Sequence, residues 1–118
     1  MVTISGFVGF GDSLADGRYT LTALANQITL GGRPLDGNGD GTAGDNYAFG
    51  DAQGLFRYFG DANGDRRVDI ADFGFFSTSY GLHTGQSGFL AYFDYNNDGV
   101  IDIADFGQFA IRMFTVLP

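Results

Sequence analysis

Two stretches of this 118-residue chain, residues 61–72 and 94–105, carry the same pattern of oxygen-bearing side chains. In each stretch Asp or Asn stands at positions 1, 3, 5, 9 and 12, which is the ligand spacing of an EF-hand calcium loop. Position 7 of such a loop contributes its backbone carbonyl. The predicted ligands of the first loop are Asp61, Asn63, Asp65, Arg67, Asp69 and Asp72. Those of the second loop, which begins 33 residues later, are Asp94, Asn96, Asp98, Val100, Asp102 and Asp105.

Calcium suits this pattern because it is a hard cation that takes about six to eight oxygen ligands in a flexible shell. Position 12 is Asp in both loops rather than the longer Glu of most EF-hands, so the chain must approach the ion more closely there. Each loop contains four Asp, whose carboxylates repel one another without an ion. We therefore expect the C-terminal half of the chain to depend on calcium for folding.

The two loops differ at position 6, where an EF-hand needs a sharp turn. The second loop has Gly99 there, whereas the first has Arg66. A non-glycine residue with positive φ costs about 1–2 kcal/mol, so we expect the first site to be weaker or distorted. At position 8 the apolar residues Val68 and Ile101 are expected to form a small antiparallel bridge between the two sites.

A third acidic cluster matches the EF-hand pattern only in part. It begins with the spacing 1, 3, 5, but its next carboxylate stands at position 10, and Tyr47 occupies position 12. Two interpretations remain open, a third calcium site or a glycine-rich turn in a linker. The candidate ligands of this loop are Asp36, Asn38, Asp40, Thr42 and Asp45.

The elements that must position the two main loops form an imperfect repeat, at about residues 53–81 and 86–114. Helices are predicted after the loops, at about residues 70–80 and 103–114, because aromatic and apolar residues recur there at steps of three and four. These residues are expected to form the core: Phe73, Phe76, Tyr80, Phe106, Phe109 and Met113. The apolar segments before the loops, residues 55–59 and 89–93, are too short to predict entering helices.

The first third of the chain is predicted to be β-structure. Residues 2–10, 17–24 and 27–30 are rich in β-branched and aromatic residues or alternate in polarity, and residues 31–45 read as a loop. The predicted fold class is α+β, with short N-terminal strands packed beside two calcium loop–helix repeats. We place the β segment, with its Asp/Gly-rich loop at residues 36–46, in residues 1–48, and the calcium-binding domain in residues 49–118.

The composition excludes several partners. All 14 acidic residues are Asp and all six basic residues are Arg, and the net charge is −8. Proteins that bind nucleic acid need clustered cations, and so do those that bind anionic membranes, so neither partner is expected. No apolar run is long enough to insert in a membrane, and no leader sequence is visible. Cysteine is absent, which excludes disulfides and thiolate metal sites.

The loop-plus-helix repeats resemble dockerin domains over roughly residues 49–118. Residues 60–65 (GDANGD) and 94–99 (DYNNDG) are similar to the family motif Asp-x-Asn-Gly-Asp-Gly. The resemblance implies a secreted or cell-surface protein whose partner is a cohesin-like or other surface protein. In dockerins, loop positions 10 and 11 contact the partner, and here they are Ile70, Ala71, Ile103 and Ala104. Their identity in both repeats implies a nearly two-fold surface, unless both isoleucines only complete the internal packing.

The N-terminal segment around residues 16–22 resembles the last strands of an Ig-like module of bacterial surface proteins. The leading functional hypothesis is a non-catalytic calcium-binding module that docks or anchors a larger secreted protein. The alternative is a calcium-stabilised structural cap with no partner. A calmodulin-type sensor is disfavoured because only two Met are present. An enzyme is disfavoured because the single His83 lies in a linker and no catalytic arrangement is recognisable.

Overall fold

The computed structural model describes residues 13–118, so the strand predicted at residues 2–10 lies outside the described residues. The chain divides into two compact units. One consists of residues 18–56, and the other joins residues 13–17 to residues 57–118. Short strands and two helices together give a mixed α+β structure, as the sequence predicts. The boundary placed at residue 48 stays a prediction, while the division between the units falls after Phe56.

The unit at residues 18–56 is built from very short strands. Strand β2 (Leu21–Ala23) pairs antiparallel with β5 (Tyr47–Phe49), and β3 (Thr29–Leu30) pairs with β4 (Arg33–Pro34). The predicted continuous strand at residues 17–24 is wrong, because β1 (Gly17–Arg18) ends before β2 begins. The predicted loop at residues 31–45 contains β4 and a bridge between Asp36 and Asp45. Strand β1 pairs with β6 (Phe56–Arg57), where the chain passes from one unit to the other.

Two helices follow the two predicted calcium loops in the other unit. Helix α1 spans Ile70–Ser79 and α2 spans Ile103–Ala110. Each begins at an Asp N-cap, Asp69 or Asp102, whose side chain accepts the N–H group two residues further on. Such caps satisfy N–H groups that a helix start leaves free, so position 9 of each loop also fixes where its helix begins.

Among the described residues of this unit, the main core cluster contains six buried residues from both repeats: Phe59, Val68, Phe76, Phe93, Ile101 and Phe109. The rings of Phe76 and Phe109 stack with centroids 4.9 Å apart, which joins α1 to α2. Phe73, Phe106 and Met113 pack against this core as predicted. The prediction for Tyr80 is wrong, because it caps the end of α1 and is 47% exposed.

Helix α2 ends four residues earlier than the sequence predicts. After Ala110 the chain turns, and Phe114 takes a left-handed conformation with φ 62°. Its N–H then donates to the carbonyl of Val68 at 2.7 Å, and β8 (Thr115–Val116) pairs with β7 (Arg67–Val68). The backbone after Ala110 therefore forms hydrogen bonds with β7 instead of extending α2.

The expected bridge between Val68 and Ile101 is also wrong. Val68 pairs with Thr115, which follows α2, while the N–H of Ile101 donates to the carbonyl of Leu82, which follows α1. Both side chains are instead buried in the core. Each loop is therefore paired with the segment that follows the helix of the other repeat.

The segments before the loops contain no α-helix, in agreement with the sequence. The first includes β6, and the second ends in a single 3₁₀ turn at Ala91–Phe93. Residues of the two segments that correspond at the 33-residue offset are not buried alike. Phe59 is buried whereas its counterpart Tyr92 is exposed, and the buried ring before the second loop is Phe93.

Candidate metal centre

In the first loop, short polar side chains accept backbone N–H groups and so hold the turn closed. Asp61 at position 1 accepts from Gly64 at 2.7 Å through Oδ1 and from Arg66 at 2.7 Å through Oδ2. Asn63 accepts from the N–H of Asp65 at 2.9 Å, and Asp65 accepts from that of Arg67 at 2.9 Å. These Asx turns place the side chains of positions 1, 3 and 5 around one turn, as an EF-hand requires.

The second loop repeats this pattern of hydrogen bonds. Asp94 accepts from Asp98 at 3.1 Å and from Gly99 at 2.8 Å, and Asp98 accepts from Val100 at 3.0 Å. Left-handed backbone occurs at corresponding places in both loops, at Gly64 and Arg66 in the first and at Asn97 and Gly99 in the second. Arg66, with φ 69°, therefore adopts the strained conformation that the sequence analysis expects at position 6.

Position 12 ties each exit helix to the start of its own loop. Asp72 accepts from the N–H groups of Ala62 at 2.9 Å and Asp69 at 2.8 Å. Asp105 accepts from Tyr95 at 2.7 Å and Asp102 at 2.8 Å. Both carboxylates are completely buried. A buried carboxylate is costly unless it is hydrogen-bonded and faces a cation, so this donor set suits a hard divalent ion such as calcium.

The electrostatics of both loops favour a bound cation. Burial raises the pKa of the Asp61 carboxyl, and the charges of Asp72 and Asp65 raise it further. Burial likewise raises the pKa of Asp105, and the charges of Asp94 and Asp102 add to this effect. Carboxylates that are desolvated and repel one another resist ionisation, and a calcium ion among them removes that cost.

The Asp36–Asp45 loop reproduces the first half of this geometry. Asp36 accepts from Gly39 at 2.7 Å and Gly41 at 2.8 Å. The third and fifth positions repeat the same bonds, since Asn38 accepts from Asp40 at 2.8 Å and Asp40 from Thr42 at 2.7 Å. Asp40 is exposed, and the Thr42 N–H lowers the pKa of its carboxyl.

Asp45 takes the place that position 12 holds in a full-length loop. Its Oδ2 accepts from the N–H of Asn38 at 3.0 Å, and its backbone bridges to Asp36. Oxygens of Asp36, Asp40 and Asp45 lie within 4.8 Å of one another. Between residues 13 and 118 no other trio of acidic, His or Cys side chains comes this close. Tyr47, which occupies position 12 by counting, lies in β5 instead.

The predicted partner residues are on the surface of the helices. Ile70 is 68% exposed and Ile103 is 69% exposed, and Ala71 and Ala104 are exposed beside them. The interpretation that these isoleucines only complete internal packing is therefore wrong. Ile103 also borders a shallow groove between α1 and α2, with Phe73 and Tyr80 on the opposite side.

One cluster that the sequence analysis missed centres on Asp16. Its Oδ1 accepts from Arg57 Nη1 at 2.6 Å and from the Phe59 N–H at 2.8 Å, while its Oδ2 accepts from Arg112 Nε at 2.6 Å. The Arg112 guanidinium also lies 5.4 Å from the ring centroid of Tyr95. Two of the six arginines thus bind this carboxylate. Because the three residues are far apart in sequence, no local pattern predicts their contact.

Each of the two loops is followed by an exit helix, which is the arrangement of EF-hand-type calcium-binding modules. Comparison with known proteins agrees, since the family described as dockerin type I domain matches residues 59–109. This part of the chain is a dockerin-like domain. No curated protein and no solved structure gives a significant match to the chain. The family match does not reach the N-terminal segment, so its Ig-like character stays a prediction.

Dockerin domains are calcium-binding, non-catalytic modules that mediate docking between proteins, and they occur in secreted or cell-surface proteins. The domain in residues 59–109 thus implies calcium as the bound ion and a cohesin as the type of partner. In the part of the chain from residue 13 onward, neither helix has the length and apolar character needed to cross a bilayer.

Proposed function

We propose that this chain is a calcium-dependent docking module that anchors a larger secreted protein to a protein partner. The observation that carries the proposal is the duplicated loop geometry, in which two buried position-12 carboxylates each join a loop to its own exit helix. Calcium bound in both loops would rigidify them and would also fix the orientation of α1 and α2. The docking surface would then exist only in the calcium-bound state.

The ligands of the proposed sites are the residues at positions 1, 3, 5, 9 and 12, together with the carbonyl at position 7. In the first loop the carbonyl is that of Arg67, and in the second that of Val100. Asp69 and Asp102 at position 9 also cap the helices, so we assign them ligation through a water, as is common for that position.

The proposed partner surface consists of Ile70, Ala71, Ile103 and Ala104. Both isoleucines are mostly exposed at the same place in the two repeats, so they are available to contact another protein. The same pair of residues begins both helices, which would allow a partner to bind in either of two orientations. The partner would be a cohesin-like module or another surface protein.

The experiment that tests docking compares partner capture and stability in the same variants. The double variant Ile70→Ala/Ile103→Ala should abolish capture of a cohesin-like module or of a protein from the parent organism's secreted fraction, because either single variant would keep one binding orientation. The melting temperature in calcium should change little, because both side chains are exposed. A structural cap without a partner predicts no calcium-dependent capture by the unaltered chain. That result, obtained with a well-folded calcium-loaded protein, would reject docking.

We further propose that the Asp36–Asp45 loop holds a third calcium ion. The unit that contains this loop is confined to residues 18–56, and its one buried apolar residue is Ala25. Domains below about 40 residues usually need disulfides, metals or oligomerisation for stability, and this chain has no cysteine. An ion between Asp36, Asp40 and Asp45 would supply that stabilisation.

Calorimetric titration counts the sites and separates this proposal from the first one. The unaltered chain should bind three calcium ions, and Asp40→Asn should bind two while the dockerin-like domain keeps its calcium-dependent circular dichroism. Asp51→Asn is a control in the same unit, because Asp51 pairs with Arg18 outside the loop. A stoichiometry of two in the unaltered chain would leave the 36–45 loop as a linker turn.

A further inference from the structure

We infer that each calcium loop of the dockerin-like domain is held in its binding shape by the segment that follows the other repeat's helix. The two sites should therefore fill as a coupled pair. The segments are residues 81–84, which follow α1, and residues 114–117, which follow α2, and we call them the exit straps. This inference rests on the proposal that both loops bind calcium.

The hydrogen bonds of the two straps are equivalent under the 33-residue offset. In the α1 strap, Gly81 N–H donates to Ile101 at 2.8 Å and Thr84 N–H donates to Gly99 at 2.8 Å. In the α2 strap, Phe114 N–H donates to Val68 at 2.7 Å and Leu117 N–H donates to Arg66 at 2.8 Å. The strap after α1 therefore bonds the second loop, and the strap after α2 bonds the first loop.

These bonds are made to the carbonyls on either side of a predicted ligand. In the second loop the accepting carbonyls belong to positions 6 and 8, Gly99 and Ile101, which flank Val100 at position 7. Successive carbonyls of an extended strand point to opposite edges. A strap that holds the carbonyls of positions 6 and 8 on one edge thus turns the carbonyl of position 7 to the other edge, away from the strap.

The same argument applies to Arg67 in the first loop, which pairs with Val116 in the strap. No strap residue is a predicted ligand, so the straps act as positioning elements. A strap can form only when the helix before it is ordered, and position 12 ties that helix to its own loop, which the proposed ion would order. Filling one loop should therefore order the strap that shapes the other loop.

The decisive experiment removes one strap hydrogen bond without changing any ligand. Thr84→Pro deletes the N–H that donates to Gly99, and the preceding His83 is in an extended bridge with Val100, which suits a residue before proline. Thr84→Ala is the matched control, since it removes only the weaker side-chain bond of 3.3 Å. The two sites are followed separately by NMR, through the amides of Arg66 and Gly99.

Thr84→Pro should weaken calcium binding at the second loop by about tenfold, the usual effect of leaving one backbone acceptor unpaired, and Thr84→Ala should have a much smaller effect. Leu117→Pro should weaken calcium binding at the first loop relative to Leu117→Ala, since both variants lose the same buried side chain and only the first also loses the N–H. If Thr84→Pro binds calcium at the second loop as tightly as Thr84→Ala, the inference is overturned.

A second measurement decides the matter even if the proline variants do not fold. Asp98→Asn weakens the second loop directly, and coupling predicts that the calcium midpoint reported by Arg66 in the first loop rises several-fold. An unchanged midpoint at Arg66 overturns the coupling. If the unaltered chain binds no calcium, the proposed function fails, whereas two independent sites contradict only this inference.

Discussion

The carboxylate of Asp16 accepts a hydrogen bond from Nε of Arg112 at 2.6 Å, which joins residues 96 positions apart in the chain. The same carboxylate also receives Arg57 at 2.6 Å. All three side chains are largely buried, so their charges are screened less than those of a surface pair. Residues 13–17 are thereby tied to both ends of the dockerin-like domain, outside the region of the family match.

Asp16→Asn should destabilise the domain by about 2 kcal/mol, because two partly buried guanidinium groups would lose their carboxylate. Chemical denaturation in saturating calcium measures the change. Arg18→Gln is the control, since Arg18 pairs with Asp51 at a more exposed position and such pairs contribute about 0–1 kcal/mol. Equal effects of the two substitutions would show that Asp16 is an ordinary surface charge.

Phe114→Gly should stabilise the protein, by about 1 kcal/mol. Phe114 has φ 62° and its side chain is 78% exposed, so glycine would relieve backbone strain with little loss of packing. The equivalent residue after α1 is Gly81, with φ 82°, where Gly81→Ala should destabilise by about 1–2 kcal/mol. Thermal unfolding of both variants in calcium tests whether Phe114→Gly raises the stability and Gly81→Ala lowers it. A destabilised Phe114→Gly would contradict the strain argument.

Arg66→Gly should raise calcium affinity at the first loop. The substitution relieves the left-handed strain at φ 69° and removes one positive charge from a loop that carries four Asp and two Arg. Arg66→Ala separates the causes, since it removes the charge and keeps the strain. Titration calorimetry should rank the affinities Arg66→Gly, Arg66→Ala and unaltered chain, from tightest to weakest. No gain in either variant would mean that position 6 does not limit this site.

Calcium affinity should fall when the pH is lowered from about 7 to about 4, the ordinary pKa of Asp, because protons compete for carboxylates that bind the ion in their ionised form. The pKa values of Asp61 and Asp105 are raised by burial, so both groups take up protons at a higher pH than ordinary Asp. Without calcium, their contribution to stability is present below the pKa of the unfolded chain and is lost as pH rises through the raised folded pKa.

The measurement is calorimetry at several pH values in two buffers of different ionisation enthalpy, which reports protons released on binding. The 36–45 loop is an internal comparison. The pKa of Asp40 is lowered, so calcium binding there should persist to a lower pH than in the other two loops. A stoichiometry and affinity that stay constant across this range would contradict the pKa directions.

The sequence alone predicted the features that depend on local spacing. The hydrogen-bonded turns within each twelve-residue loop, the start of α1 at Ile70 and the start of α2 at Ile103 follow from side chains that bond their own neighbouring backbone. The core positions Phe76 and Phe109 follow from helical periodicity. Such features could be predicted because each is decided within a few residues along the chain.

Tertiary structure decided the features that depend on distant partners. Helix α2 stops at Ala110 because the chain beyond it pairs with the first loop, and Val68 and Ile101 bond exit straps rather than each other. Asp16 meets Arg112 across 96 positions of sequence. The local sequence does not predict these pairings, because the backbone could form hydrogen bonds of similar strength with other segments. Only the packing of both repeats around one core selects between them.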